Sequence, residues 1–385
     1  MQIDSPKIDN ILENAALQKV PAISAAVISK DSNIYKGHFG FKDLENKNPV
    51  DDNTLFRIAS MTKAITSTCI YQLIDRDILS LDTNLKDFFP EINDKKVIKG
   101  FDDNGDAILS DVSNDINIGH LLTHTSGFAY EIWNESIAKL VERGDLQSAF
   151  ANNDEFLKAP LIFEPGTNWE YGIGIDWLGV LIEKISECSL QEYMQANIFE
   201  PLEMANTSYD LDKSKHSRVA KVYGRNGDEY FEMPFEVPEK SSFYSGGGNL
   251  ISSIEDYSKF LKIFLNAGQG PDKQIISMSS HDSMLKSLNE ELVMKQMLSQ
   301  VPMLSEDVDF FPSSTKSWSP GFMINHEDIN SGRPKNSAGW AGLFNSFFWI
   351  DPKNEIAAVI LMQMLPFSED GCLNTLKEFE TSIYN

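Results

Sequence analysis

Arg57-Ile-Ala-Ser60-Met-Thr-Lys63-Ala-Ile-Thr66 is the stretch around which the chain organises itself. From Ile58 to Ile74 the only charged side chain is Lys63, and the rest are apolar, small or hydroxylic. Met61, Ile65, Cys69 and Leu73 form an i, i+4 stripe, while Ile70 and Ile74 carry apolar surface to other sides. The spacing predicts a helix that is apolar nearly all round and therefore buried. Ser60 and Lys63 lie three residues apart and share a face of that helix. A lone lysine there is costly, because burial disfavours the ammonium and lowers its pKa. With a helix start at Ser60, the positive end of the helix dipole pushes the same way. A partly neutral amine beside a hydroxyl can take the hydroxyl proton, which makes Ser60 a candidate nucleophile and Lys63 its base.

A serine attacked-and-released acyl group also needs a proton donor and an oxyanion site. Pro165-Gly-Thr-Asn-Trp169-Glu-Tyr171-Gly-Ile-Gly offers a tyrosine after a Pro-Gly turn, with glycines permitting close approach before a helix. Tyr171 beside a cation suits acid/base work; as a bare aromatic it would serve packing. Ser337-Ala-Gly339-Trp340-Ala-Gly342-Leu343 has the stripped character of a strand edge that a ligand or backbone approaches. The N–H groups of Ser60 and of about Leu343 are the candidate oxyanion donors, with Trp340 and Gly342 beside them as substrate-binding candidates. His120 and His124 stand at i, i+4, but no H-E-x-x-H glutamate lies between them, and structural roles are expected. No G-x-S-x-G elbow is present, which speaks against an α/β-hydrolase.

Working outward, residues 6–18 read as a helix, and Ile23–Ser29 with Ile34–Phe39 as a hairpin. A second hairpin spans 96–112 around Asp102-Asp-Asn-Gly105-Asp106. A calcium-loop reading of that turn fails, since Gly100 and Asp111 fall on the first and twelfth positions. Helical patterns run from about 130 to 200. Ser252-Ser-Ile-Glu255 reads as a capping box opening a helix to Leu265. Asn345–Asp351 and Ile356–Met364 read as a central antiparallel hairpin, followed by a last helix at about 370–383. Met278, Met284, Met294, Met297 and Met303 suit either a pocket mouth or core packing. The expected fold is α+β: an antiparallel sheet flanked by helices and built from both ends of the chain, residues 1–80 and 312–385, with an inserted, mainly helical lobe at 81–311, parts of which can pack on the sheet, and the site between them.

Composition narrows the partners. The 385 residues carry a formal net charge of −24, which argues against nucleic acid and anionic membrane. Three widely spaced cysteines, Cys69, Cys188 and Cys372, give no metal spacing and point to a reducing compartment. No signal-peptide pattern or apolar run of about 18 residues is seen. A cytoplasmic protein is expected, with a small-molecule substrate, no metal and no cofactor; nothing indicates an oligomeric state.

With these segments in order, the chain resembles the serine β-lactamase-like superfamily, closest to the family VIII carboxylesterases and the lovastatin-type acyltransferases. The resemblance runs over roughly 15–365. It rests on Phe56-Arg-Ile-Ala-Ser60-Met-Thr-Lys63, His120-Leu-Leu-Thr-His-Thr-Ser-Gly127, Pro165-Gly-Thr-Asn-Trp-Glu-Tyr171, Ser245-Gly-Gly-Gly-Asn-Leu-Ile251 and Trp340-Ala-Gly342 before Phe348-Trp-Ile-Asp-Pro352. It implies a β-lactamase/transpeptidase-like fold, Ser60 as nucleophile, Lys63 as its base partner and Tyr171 as shared acid/base. S-x-x-K is the family's spacing for an acyl-enzyme. Two departures stand out. Tyr171 is followed by Gly172 and Ile173 where lactamases have Y-x-N, and Trp340-Ala-Gly342 replaces K-T-G. Without that cation the expected reaction is hydrolysis of short-chain acyl esters. The rivals are an acyltransferase on the same acyl-enzyme, a β-lactamase or D,D-peptidase, and, last, a non-catalytic binding protein of this fold.

Overall fold

Ser346–Asp351, Ser-Phe-Phe-Trp-Ile-Asp, explains how the molecule is layered. Successive strand side chains point to opposite faces. Phe348 meets Tyr257 at 5.3 Å between ring centroids, while its neighbour Trp349 meets Phe379 at 5.9 Å and donates its indole N–H to the Tyr384 hydroxyl at 3.0 Å. Helix Ile254–Leu265 therefore covers one face of the sheet and the C-terminal helix Asp370–Tyr384 the other. With both faces covered, Ser346–Asp351 and Ile356–Met362 are buried throughout, which is why they read as apolar runs without alternation.

The computed structural model describes residues 3–227 and 229–385. Its main sheet has eight antiparallel strands in the spatial order Lys316–Trp318, Met323–Asn325, Ala338–Gly342, Ser346–Asp351, Ile356–Met362, Ala22–Ser29, Asn33–Asp43 and Asn48–Pro49. Ile23 pairs with Met362 and Ser29 with Ile356, so the two ends of the chain meet at the sheet's centre. The N-terminal helix Ser5–Gln18, capped by Asp4, packs beside Asp370–Tyr384. Among the described residues no helix is long and apolar enough to cross a membrane.

The expected hairpins and terminal helices form close to their expected bounds, including Lys96–Phe101 with Ala107–Asp111. Other details differ. The α-helix runs from Thr62 to Asp75, and Ser60 sits before it, in a 3-10 turn over Ala59–Met61. Every residue from Thr62 to Leu73 is buried, as the apolar pattern requires. The cap at the later helix is Ser253, whose hydroxyl accepts the Asp256 N–H at 3.2 Å, because the Ser252 hydroxyl is turned to Thr207 instead. Between 130 and 200 only short helices and Gly174–Ser186 form. Glycines and prolines in 143–173 leave that stretch largely irregular. Met284, Met294 and Met297 are core residues, and Met278 and Met303 are exposed.

Candidate active site

Four segments converge on Ser60. The first is its own turn, in which Ala59 holds φ at +42°, a left-handed value that costs an alanine energy. The second is the glycine loop Ser245–Gly248. Thr66 Oγ1 donates to the Gly246 carbonyl at 2.7 Å and the Ile58 N–H to the Leu250 carbonyl at 3.0 Å, so the loop lies along the nucleophile segment. A Cβ on Gly246 would stand 2.3 Å from the Ile175 carbonyl oxygen, and one on Gly247 2.5 Å from both Asp176 and Tyr130. The third pairs 124–130 with 170–172: the Glu170 N–H reaches the His124 carbonyl, and the Tyr130 N–H the Tyr171 carbonyl. A Cβ on Gly172 would meet the Phe128 carbonyl at 2.1 Å. The fourth is the end of strand Ala338–Gly342, where a Cβ on Gly342 would lie 2.3 Å from the Ile58 carbonyl.

This convergence places Lys63 Nζ 3.2 Å from Ser60 Oγ, 3.0 Å from the Tyr130 hydroxyl and 2.7 Å from the Gly247 carbonyl. Lys63 is buried and Ser60 half-buried. Burial lowers the Lys63 pKa to about 7, with the Asp176 carboxylate opposing. The amine also sits 4.9 Å from the ring centres of Tyr130 and Tyr171. Tyr171 accepts the Trp340 indole N–H at 2.9 Å and shares a hydrogen bond with Ser60. Burial raises its pKa, and those two bonds offset part of the rise.

Ser60 opens into a cavity of about 470 Å³. Its walls are mainly apolar, from Ile132, Trp133, Phe150, Phe235, Leu304, Leu343 and Phe344, with Arg57, Glu236 and Asn249 among the polar groups. Leu343 thus faces the cavity near Ser60. Trp340 and Gly342 do not line it: Trp340 lies behind Tyr171, packed tilted against Tyr171 and edge-on to Trp318 and Phe310, and Gly342 touches the nucleophile turn through its backbone. His124 packs on Tyr171 at 4.6 Å and accepts the Gly172 N–H at 3.3 Å, and burial holds it well below the usual histidine range. His120 completes a capping box with Asn117. His124 therefore serves the backbone that carries Tyr171, and His120 the start of helix Ile118–Leu122.

Sequence reasoning missed Tyr130 and Asp176. The Tyr130 hydroxyl donates to Asp176 Oδ2 at 2.8 Å, and Asp176 Oδ1 accepts from the Ser245 hydroxyl and, at 3.0 Å, the Gly247 N–H. A signal existed: Asp176 is the one charge in the apolar run Gly172–Ile182, as Lys63 is in its own. Tyr130 carries no comparable signal.

A family model described as Beta-lactamase matches residues 8–382. Among curated relatives, the ML-236A carboxylate methylbutanoyltransferase mlcH of Penicillium citrinum is 26% identical over 384 residues, covering 96% of this chain and 91% of that one. A lovastatin esterase of Penicillium rubens is 26% identical, covering 88% and 87%. Among solved structures, unliganded simvastatin synthase (LovD) from Aspergillus terreus, as the selenomethionyl derivative, superposes with a TM-score of 0.84 at 26% identity, covering 98% of this chain and 97% of that one. EstCE1, a hydrolase with promiscuous acyltransferase activity, shares the fold at a TM-score of 0.77 and 17% identity, covering 99% and 98%.

Proposed function

Since the chain belongs to the Beta-lactamase family, we propose that it is a serine acyl-transfer enzyme, working as a carboxylesterase on small-molecule esters through an acyl group on Ser60. The carrying observation is the buried Lys63 amine, near-neutral in pKa and 3.2 Å from the Ser60 hydroxyl. Ser60 attacks the ester carbonyl while its proton passes to Lys63, directly or by way of Tyr171. The N–H groups of Ser60 and Leu343 hold the oxyanion. Tyr171 protonates the departing alcohol, and water then reverses these transfers to free the acid. The apolar cavity walls suit an uncharged acyl chain. No metal or cofactor enters the scheme. We place the enzyme in the cytoplasm, in keeping with three unpaired cysteines, and assign 1–80 with 312–385 to the sheet lobe and 81–311 to the second lobe, whose helix Ile254–Leu265 packs on the sheet.

A second reading shares every step up to the acyl-enzyme: an alcohol replaces water, making the enzyme an acyltransferase. The relative named as a methylbutanoyltransferase favours it. Comparing hydrolysis with transfer to added alcohols separates the two. β-Lactam hydrolysis fits less well, because Trp340 replaces the K-T-G cation and its N–H is already given to Tyr171. The test of the common step is mass spectrometry after a fluorophosphonate, with p-nitrophenyl esters of two to twelve carbons and nitrocefin as substrates. The adduct should map to Ser60, Ser60→Ala should lose on the order of a thousandfold in kcat, and nitrocefin should turn over poorly. An adduct elsewhere, or full activity in Ser60→Ala, ends the proposal.

A further inference from the structure

Lys63 has three oxygen neighbours, and their chemistry decides what it can do. A charged ammonium can donate to all three. A neutral amine keeps two N–H groups and one lone pair, and it is a base for Ser60 only if the lone pair faces Ser60. The Gly247 carbonyl, 2.7 Å away, can only accept. The Tyr130 hydroxyl, at 3.0 Å, has a single proton. It could give that proton to Lys63, which would occupy the lone pair and turn an N–H toward Ser60. It does not, because the proton goes to Asp176 Oδ2 at 2.8 Å. Tyr130 is left as an acceptor, and Ser60 is the only neighbour with a proton to offer.

We propose that Asp176 is a positioning residue which, through Tyr130, aims the lone pair of neutral Lys63 at the Ser60 hydroxyl. The inference rests on the Ser60 acyl-enzyme reading. Asp176 is itself fixed, since its other oxygen accepts from the Ser245 hydroxyl and the Gly247 N–H. The same carboxylate thus anchors the peptide whose carbonyl holds Lys63, so one buried group sets both acceptors. Proton transfer then moves the Ser60 proton to Lys63 as the bond from Ser60 Oγ to the acyl carbon forms, leaving an ammonium with all three oxygens as acceptors.

The titratable groups around Lys63 are few. His124, Tyr130 and Glu131 come from one segment, Tyr171 from a second and Asp176 from helix Gly174–Ser186; the glycine loop and strand Ala338–Gly342 bring none. Glu131 is turned to the Ser148 hydroxyl and the Ala149 N–H. Asp176 is the acid whose charge raises the Lys63 pKa. Removing it has two effects of opposite appearance. Activity falls, because the lone pair is no longer aimed, yet the acid limb of the rate profile moves to lower pH, because the ammonium has lost its anion.

The experiment measures kcat, KM and the rate of fluorophosphonate labelling of Ser60 from pH 5 to 9 for wild type, Asp176→Asn, Tyr130→Phe and the double variant. Asp176→Asn should lose about 10²-fold in plateau kcat, keep KM within about threefold of wild type, the pattern of a transition-state effect, and shift its acid limb down by about one pH unit. Tyr130→Phe should shift the limb in the same direction, since it removes an acceptor from the ammonium. In the double variant, the Asp176 change should add clearly less than its loss in wild type, because the Tyr130 part of its action is already gone and only its hold on the Gly247 peptide remains. A fall in kcat with an unmoved limb, additive losses, or wild-type rates would each overturn the proposal. Should Asp176→Asn fail to fold, the limb of Tyr130→Phe decides alone, and an unmoved limb there overturns it. If wild-type Ser60 takes no label and Ser60→Ala stays active, the acyl-enzyme reading has failed instead.

Discussion

Among the described residues burial pulls down the pKa of two lysines, Lys63 and Lys95, and only Lys63 faces a hydroxyl. Lys63 has a pKa near 7 and Lys95 near 8, each lowered first by burial. Both lie over two aromatic rings, Lys63 over Tyr130 and Tyr171, Lys95 over Phe128 and Trp177. Lys95 donates to the carbonyls of Leu157 and Ala159 at 2.7 and 3.0 Å. A carbonyl has no proton to surrender, so Lys95 ties an irregular stretch of backbone in place. Lys63 has two hydroxyls among its three partners. A depressed pKa marks a desolvated amine; the chemistry of the neighbouring oxygens distinguishes a base from a strut.

The comparison breaks most visibly in activity. Lys63→Met should lose about 10³-fold or more in kcat, as for a group that acts as one unit with its nucleophile. Lys95→Met should stay within about twofold of wild type. Steady-state kinetics on p-nitrophenyl butyrate checks both, and equal losses would erase the distinction. A smaller effect sharpens the Lys63 side. Tyr171→Phe keeps the ring among Trp318, Trp340 and His124 but removes the proton path to the leaving group. The loss should be about 10² to 10⁴ on an alkyl butyrate and much less on the p-nitrophenyl ester, whose leaving group needs no proton. Near-wild-type rates on the alkyl ester would make Tyr171 a packing aromatic.

The smallest effects are on stability, and they should have opposite signs. A folded-state pKa of about 7 lies below the ordinary lysine value of 10.5, so between those values the unfolded chain binds the extra proton and stability rises with pH. Below about 7 wild type bears the full cost of burying the ammonium. Lys63→Met removes that cost and should be more stable than wild type at pH 6, by about 1–3 kcal/mol, with the advantage shrinking toward pH 9. Lys95→Met leaves the carbonyls of Leu157 and Ala159 without their donor and should be less stable by about 1–3 kcal/mol. Chemical denaturation at pH 6 and 9 measures both differences.

How much of this was legible in the sequence follows from which forces write into sequence locally. Ser60 and Lys63 could be read because a single charge in a long apolar segment violates the burial rule within that segment. Gly342 could be read because a strand residue without a side chain implies close approach, here to the Ile58 carbonyl. The helix start at Thr62 and the cap at Ser253 were off by one or two residues, because hydroxyl partners such as Thr207 are set by the tertiary fold. Trp340 was read as a substrate contact, whereas its N–H serves Tyr171 across 169 residues of chain separation. Tyr130 reaches Lys63 across 67 residues, and no local pattern announces that meeting. The division of the chain into two lobes leaves room for parts of 81–311 to pack on the sheet, and helix Ile254–Leu265 lies there.

The contact between Gly342 and the turn at Ile58 has a consequence for how such a protein can diversify. It is made by backbone on both sides, so the position of Ser60 relative to the sheet is independent of any side chain that touches substrate. The cavity walls come largely from elsewhere: Phe150, Phe235 and Leu304 stand on connecting segments, and Leu343 begins just past the fixed point. On the proposed acyl-enzyme reading, changes in those walls alter which acyl or alcohol group is admitted while leaving Ser60 where it was.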